Sequence, residues 1–226
     1  MIIETATERI VTTIYNISPY RILDRRYEAQ QKAAIVNQDC TEENRMIVKR
    51  YSLSEYYIVG WFGLSILLLA INELLPALLV YILMWRVIGI LSKEVCVVLF
   101  KKCKITEGNN VSSPGRVIVL AFINYVTSGL LFALLYTKEG QYQIDPDTVV
   151  TTLPIGEAIL QGLSIPFTFS PAYEPLNFNA HLITIAQSGF SFVFVGLVIA
   201  VFVGLIGLKS KAPKDSVTIP NKEPEK

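Results

Sequence analysis

Apolar positions along this chain come in long unbroken blocks, not in the short periodic segments of a soluble fold. From residue 56 to 92 only Glu73 and Arg86 are charged, from 117 to 136 nothing is, and from 175 to 208 the only titratable group is His181. A hydrocarbon core about 30 Å thick needs roughly 20 apolar residues of helix, and each block reaches that length. The pattern predicts an integral membrane protein with spans near residues 116–137 and 179–208. The block at 57–91 admits two readings. One is a hairpin of two spans turning at Asn72-Glu73-Leu74-Leu75-Pro76, where Pro breaks the helix ladder. The other is one long tilted helix with an external N-terminus. The hairpin is preferred, because it puts Arg45, Lys49 and Arg50 in the cytoplasm and Glu73 at the outer interface instead of in hydrocarbon. Its second arm then runs from Pro76 to Phe100, with Arg86 shielded in the bundle, and ends as an interfacial helix past the Ser92-Lys93-Glu94 turn.

Outside the blocks the chain is more polar. The first 55 residues contain no uncharged apolar run, so no cleavable signal peptide is expected at the start. Residues 21–51 read as a surface-lying helical stretch, whose alternating Asp24, Arg25, Arg26 and Glu28 suggest a solvated face. The tail from 211 to 226, with its Pro, Lys and Glu, reads as a disordered end.

Composition sharpens this picture. With 52% hydrophobic and 17% charged residues and a net charge of +1, the 226-residue chain lacks the polar excess of a disordered protein and the basic surplus of a nucleic-acid binder. The near-zero total is a cancellation: residues 93–116 carry +3, 137–178 carry −4 and 209–226 carry +2. Lys and Arg near spans favour the inner side, so Lys93, Lys101, Lys102, Lys104, Arg116 and the tail lysines 209, 211 and 214 belong in the cytoplasm. The acidic 137–178 segment belongs outside. The expected location is the plasma membrane, multi-pass, with the C-terminus cytoplasmic.

Catalytic chemistry has little to build on. His181 is the only histidine, which excludes a two-His metal site or a bis-His haem within one chain. Cys40, Cys96 and Cys103 are an odd number on segments assigned to the reducing side, which argues against a disulfide framework. No second ligand pair stands near Cys96 and Cys103, and no phosphate-binding loop or dinucleotide fingerprint appears. Neither an enzyme nor a metal or other cofactor is expected.

The informative region is the external one. The stretch from Thr151 to Ile165 opens with Pro154 and Glu157, suited to a first helical turn and its positive dipole. About 12 helical residues span about 18 Å, too short to cross a bilayer. Pro166-Phe167-Thr168-Phe169-Ser170-Pro171-Ala172-Tyr173-Glu174-Pro175 then breaks the helix, and a last long helix follows. Span, short helix, irregular loop and span is an order that lets non-helical backbone reach membrane depth when protein shields it. An ordinary outer loop with one interfacial helix fits the same pattern.

Several runs carry a resemblance. Trp85-Arg86-Val87-Ile88-Gly89, Asn124-Tyr125 followed by Phe132-Ala133-Leu134-Leu135-Tyr136, Glu157-Ala158-Ile159-Leu160, and Gln187-Ser188-Gly189 through Gly196-Leu197-Val198-Ile199-Ala200 together resemble prokaryotic members of the two-helix-pore, potassium-channel-like ion channel family. The likeness covers roughly residues 76–208, and the order of elements is a stronger match than any one motif. It implies an outer helix, a re-entrant pore helix and loop, an inner helix, and assembly as a homotetramer.

The sequence departs from that family at the filter. The equivalent stretch is Thr168, Phe169, Ser170, Pro171, Ala172 and Tyr173, where a potassium filter has Thr-Val-Gly-Tyr-Gly lining the axis with carbonyls. Both glycines are lost, and Pro171 brings a fixed φ and no N–H. Potassium selectivity is therefore not carried over. Either a tetramer encloses an aqueous path with Glu174 as an acidic ring at its outer mouth, or Phe167, Phe169 and the prolines plug the axis. The simpler reading of Glu174 is a solvated outer-loop charge. Gly189, Gly196, Gly204 and Gly207 permit close helix packing, and the resemblance makes Gly189 or Gly196 a candidate gating bend. Phe190, Phe192 and Phe194 recur at spacing two and cannot share one face.

The reading is thus an all-α membrane helix bundle of about four transmembrane helices with a re-entrant pore helix. Its regions are a cytoplasmic N-terminal part (1–55), a membrane hairpin and interfacial helix (56–104), a pore-like domain (105–208) and a cytoplasmic tail (209–226). The expected function is a cation-conducting pore, its partners being the lipid bilayer, permeant cations and further copies of the chain, with no nucleic acid. The alternative is a non-conducting structural or accessory membrane protein.

Overall fold

The computed structural model describes residues 2–98 and 114–210. The expectations for Phe100, Cys103 and the tail from 211 onward lie outside them. The fold is 81% helical. Helix α1 (Ile2–Ile17) and helix α2 (Pro19–Val36) meet at an elbow, where Ser18 caps α2 by accepting from the Arg21 N–H and Pro19 fills the first turn. Asp39 caps α3 (Cys40–Ala70) by accepting from the Thr41 and Glu42 N–H groups at 3.1 and 3.0 Å. One 3-10 turn at Asn72–Leu74 and Pro76 lead into α4 (Ala77–Val98). The first apolar block is therefore a helical hairpin turning where Pro76 requires it, and not one long helix.

Helix α5 (Pro114–Tyr136) is followed by short strands β1 (Tyr142–Asp145) and β2 (Thr148–Val150), helix α6 (Ile155–Thr168), the two-residue strand β3 (Glu174–Pro175), and helix α7 (Phe178–Ser210). The strands form an antiparallel sheet in the order β2-β1-β3, so the chain is mostly helical but not all-α.

Cross-links between helices fix their directions. Arg116 at the start of α5 pairs with Glu55 on α3, and Lys138 past its end donates to the Asn72 carbonyl at 2.7 Å, so α3 and α5 run parallel. Helix α4 runs opposite, Lys93 donating to Ser54 Oγ at 3.1 Å and Arg86 to Asn124 Oδ1 at 3.1 Å. Helix α7 runs opposite to α5, with Tyr136 near Gln187 and Tyr125 stacked on Phe194. The core lies where α5 meets α4, α6 and α7, around Leu131, Leu134, Tyr136, Ile165 and Phe194. Phe190 and Phe194 face inward, whereas Phe192 is 74% exposed, as spacing two demands.

Among the described residues three helices are long and apolar enough to cross a membrane: α3, the Gly115–Tyr136 stretch of α5 and the Phe178–Ala200 stretch of α7. These make the protein a multi-pass membrane protein by composition and length. Helix α4 has 22 residues but carries Arg86, Lys93 and Glu94.

The N-terminal region departs from its expected character. Asp24 is buried, not part of a solvated face: its carboxylate accepts from Arg50 Nε at 2.7 Å and Nη2 at 2.6 Å. Arg50 Nη1 also donates to Gln31 Oε1 at 2.6 Å. This network joins α2 to α3.

Candidate functional site

The site is assembled on α6 and the segment that leads back from it. Helix α6 lies along α5 at a backbone crossing of two glycines. A Cβ on Gly162 would sit 2.5 Å from the Gly129 carbonyl oxygen, and one on Gly129 would sit 2.8 Å from the Gly162 carbonyl oxygen. Only a residue without Cβ permits this approach at either position. The N-terminal end of α6 is near the end of α5, since the Leu153 N–H donates to the Tyr136 carbonyl at 3.1 Å. Its other end is beside Tyr125, whose hydroxyl donates to the Pro166 carbonyl at 2.6 Å. Helix α6 is thus antiparallel to α5.

Pro166 does not break α6, contrary to its reading as an interruption; the helix runs on to Thr168. A proline inside a helix orphans the carbonyl four residues earlier, which here belongs to Gly162. Gln187 Nε2, from α7, donates to that carbonyl at 2.7 Å, and Gln187 Oε1 accepts from the Tyr136 hydroxyl at 2.7 Å. A neutral side-chain amide replaces the missing helical N–H and ties α5, α6 and α7 together.

Phe169 ends the helix in the left-handed region at φ 56°, its N–H donating to the Ile165 carbonyl at 2.9 Å. Thr168 Oγ1 donates to the Ser164 carbonyl at 2.8 Å and accepts from the Ser170 N–H at 3.3 Å. The chain then turns back. Gln161, completely buried, accepts from the Ala172 and Tyr173 N–H groups, each at 2.8 Å, and its Nε2 donates to the Tyr173 carbonyl at 3.3 Å. One glutamine thereby holds the returning backbone against α6, and Glu174 pairs with Gln143 of β1.

Thr168, Phe169, Ser170, Pro171 and Ala172 are consecutive and exposed on the single chain, while Tyr173 is half-buried and Glu174 exposed. Burial, then the neighbouring Glu157 and Asp145 carboxylates, pushes the Tyr173 phenol above its ordinary value. Phe167 packs against Phe122 and Tyr125 at the far end of α6. Gly189 and Gly196 lie on an exposed face of a continuous α7, where an added Cβ would meet nothing. They are not used for close packing within one chain. His181 is exposed at the start of α7.

Of the residues that organise the element, Gln187 stood out in the sequence only as the start of an inner-helix run, and Gln161 and Gly129 with Gly162 were not assigned a role. The available signal was a glutamine within a largely apolar stretch of each of two helices. Among the described residues no group of three or more His, Cys, Asp or Glu side chains is arranged to hold a metal. Cys96 is buried and Cys40 exposed, both free.

The class so defined is a mostly helical, multi-pass membrane protein with a short internal helix and a tethered return loop. No protein-family model matches the chain, and no curated protein and no solved structure matches it either.

Proposed function

We propose that the protein is one subunit of a cation-conducting membrane pore, a homotetramer in which α6 and residues 169–173 form a re-entrant element facing the axis. The observation that carries this reading is the Gln161 clamp, which gives the backbone beyond α6 a fixed path back to β1. The Tyr125 to Pro166 bond supports its depth: eleven residues separate Tyr125 from Tyr136, about 16 Å of helix and about half of a 30 Å hydrocarbon core. The exposure of residues 168–172 on one chain fits a surface that neighbouring copies enclose.

In this reading α4 is the fourth span. Its 22 residues give about 33 Å of helix, and two of its charges are held: Arg86 by Asn124 and aromatic rings, Lys93 by Ser54 and the Tyr20 ring. Lys93, Glu55 and Arg116 mark the cytoplasmic interface of a plasma-membrane protein, and Asn72 and Lys138 the outer one. Glu174, with Glu157 and Asp145 nearby, gives the outer mouth negative charge that favours cations.

Purified protein in liposomes tests this. Cation flux exceeding anion flux is expected, with Phe169→Ala raising it several-fold and Glu174→Gln lowering cation preference. A tetramer is expected in mild detergent. Absence of flux under every voltage and ion tried, together with a monomeric state, would sink the pore reading in favour of a non-conducting accessory protein.

A further inference from the structure

Away from α6, the residue whose chemistry the pore leaves unused is Arg86. It is only 9% exposed, and among the described residues its guanidinium makes one hydrogen bond, to Asn124, while its Nε is buried without a hydrogen-bond partner. Glu94, eight positions further along α4, acts on it electrostatically, but no carboxylate among the described residues pairs with it. The rings of Tyr57 and Trp61 lie 4.7 and 5.7 Å from the guanidinium carbon. Such a group keeps its charge in any surroundings and presents a fork of donors matched to an oxyanion.

Arg86 lines a cleft of about 520 Å³ together with Pro19, Tyr57, Trp61, Tyr81 and Trp85. Tyr81, Ile82 and Trp85 on its rim are exposed, so the cleft opens to the surface of the α3–α4 hairpin. Its walls are otherwise apolar and aromatic, and its size falls in the range of small-molecule sites. A buried cation short of acceptors, set in an apolar cleft, calls for an anion that carries its own apolar body.

We propose that this cleft binds the carboxylate of a long-chain fatty acid anion, head on Arg86 and chain along Trp61 and Trp85. Depth selects this occupant over a phospholipid. Seven residues separate Arg86 from Lys93, about 10 Å along the helix, so a phosphate anchored at the bilayer surface stays out of reach. A single-chain carboxylate enters with its charge neutralised. The proposal rests on α4 lying in the bilayer, as the pore reading has it, but not on conduction.

Trp61 and Trp85 are the only two tryptophans of the chain, so intrinsic fluorescence reports on the cleft directly. Full-length protein in nanodiscs of zwitterionic lipid is titrated with dibromostearate, at a pH where the acid is ionised, because bromine quenches indole on contact. Saturable quenching is expected, and the methyl ester of the same acid should give only non-saturating quenching by partitioning. Arg86→Gln should weaken the apparent affinity about tenfold, the loss of one charge-assisted contact. Acid and ester quenching identically would overturn the proposal, as would saturable quenching by brominated phosphatidylglycerol and not by the acid. The acid-to-ester comparison on unaltered protein decides the matter even if Arg86→Gln does not fold. Brominated phosphatidylcholines in the nanodisc test the placement of α4 separately. If they fail to quench, the membrane placement falls; if they quench while the acid does not saturate, only the fatty-acid site falls.

Discussion

The seam between α2 and α3 and the core between α5, α6 and α7 both join helices through buried polar side chains, but with opposite chemistry. The first uses full charges, Asp24 against Arg50 with Gln31 beside them. The second uses neutral groups: Gln161, Gln187, Tyr125 and Tyr136 bonded to one another or to backbone. Desolvating an ion pair costs several kcal/mol per ion unless further hydrogen bonds offset it, a cost most easily met near water. The first seam belongs to the polar N-terminal part, where Glu28, Lys32 and Arg21 surround it. The second lies in apolar helices, where an amide leaves no net charge to desolvate. Arg86 is a charge on the wrong side of this division, which is why its surroundings invite an anionic ligand.

Breaking the charged seam should have the larger effect. Asp24→Ala leaves Arg50, which is 5% exposed, without its carboxylate. A loss of about 3–5 kcal/mol is expected, read as a lowered thermal midpoint and faster proteolysis within residues 1–50. Replacing both partners, Asp24→Leu with Arg50→Met, should recover most of it, because no charge is then left buried. If the single variant is as stable as the parent protein, the pair does not hold the seam.

The neutral seam should respond less, and through a specific coupling. Gln187→Leu orphans the Gly162 carbonyl and the Tyr136 hydroxyl, costing about 1–3 kcal/mol. Pro166→Ala restores the helical N–H that would otherwise serve Gly162, so the double variant should regain about 1 kcal/mol over additivity. Chemical denaturation of the four proteins in detergent completes the cycle. Strict additivity would refute the idea that Gln187 is there on account of Pro166.

These two seams also separate what the sequence reveals from what it conceals. Helices α5 and α7 and the turn before Pro76 were legible, because long apolar runs bounded by charge or proline are local signals. The continuation of α6 through Pro166 was not, because its missing donor is supplied by a residue 25 positions further on. Asp24 read as solvated for the same reason: its partner is 26 positions away. The small sheet was missed because strands of four, three and two residues are too short to show alternation. Of the candidate site, residues 169–174 follow the short helix and precede α7, whereas Thr168 is the last residue of α6 itself, and the glutamine that holds the return came only with the fold.

The smallest effect concerns the rim of the charged seam. Glu28 is contacted by Lys32 at 2.8 Å and by Arg21. Partial burial alone would raise its pKa, but the hydrogen bonds and charges of Lys32 and Arg21 outweigh this and hold it at about 2, against an ordinary value of 4.5. The unfolded chain therefore binds a proton at higher pH than the folded one does, and acid favours unfolding. The stabilisation is fully present above about pH 4.5 and is lost as pH falls toward 2. Because Lys32 is largely exposed, about 1 kcal/mol is expected. Comparing the parent with Glu28→Gln in thermal melts isolates this term. The variant should be less stable at pH 7, and the gap should narrow below about pH 4.5 and close as pH falls through 2. A gap that stays constant through that window would mean that Glu28 acts by packing and not by charge, which would leave Asp24 as the only carboxylate needed to explain the seam.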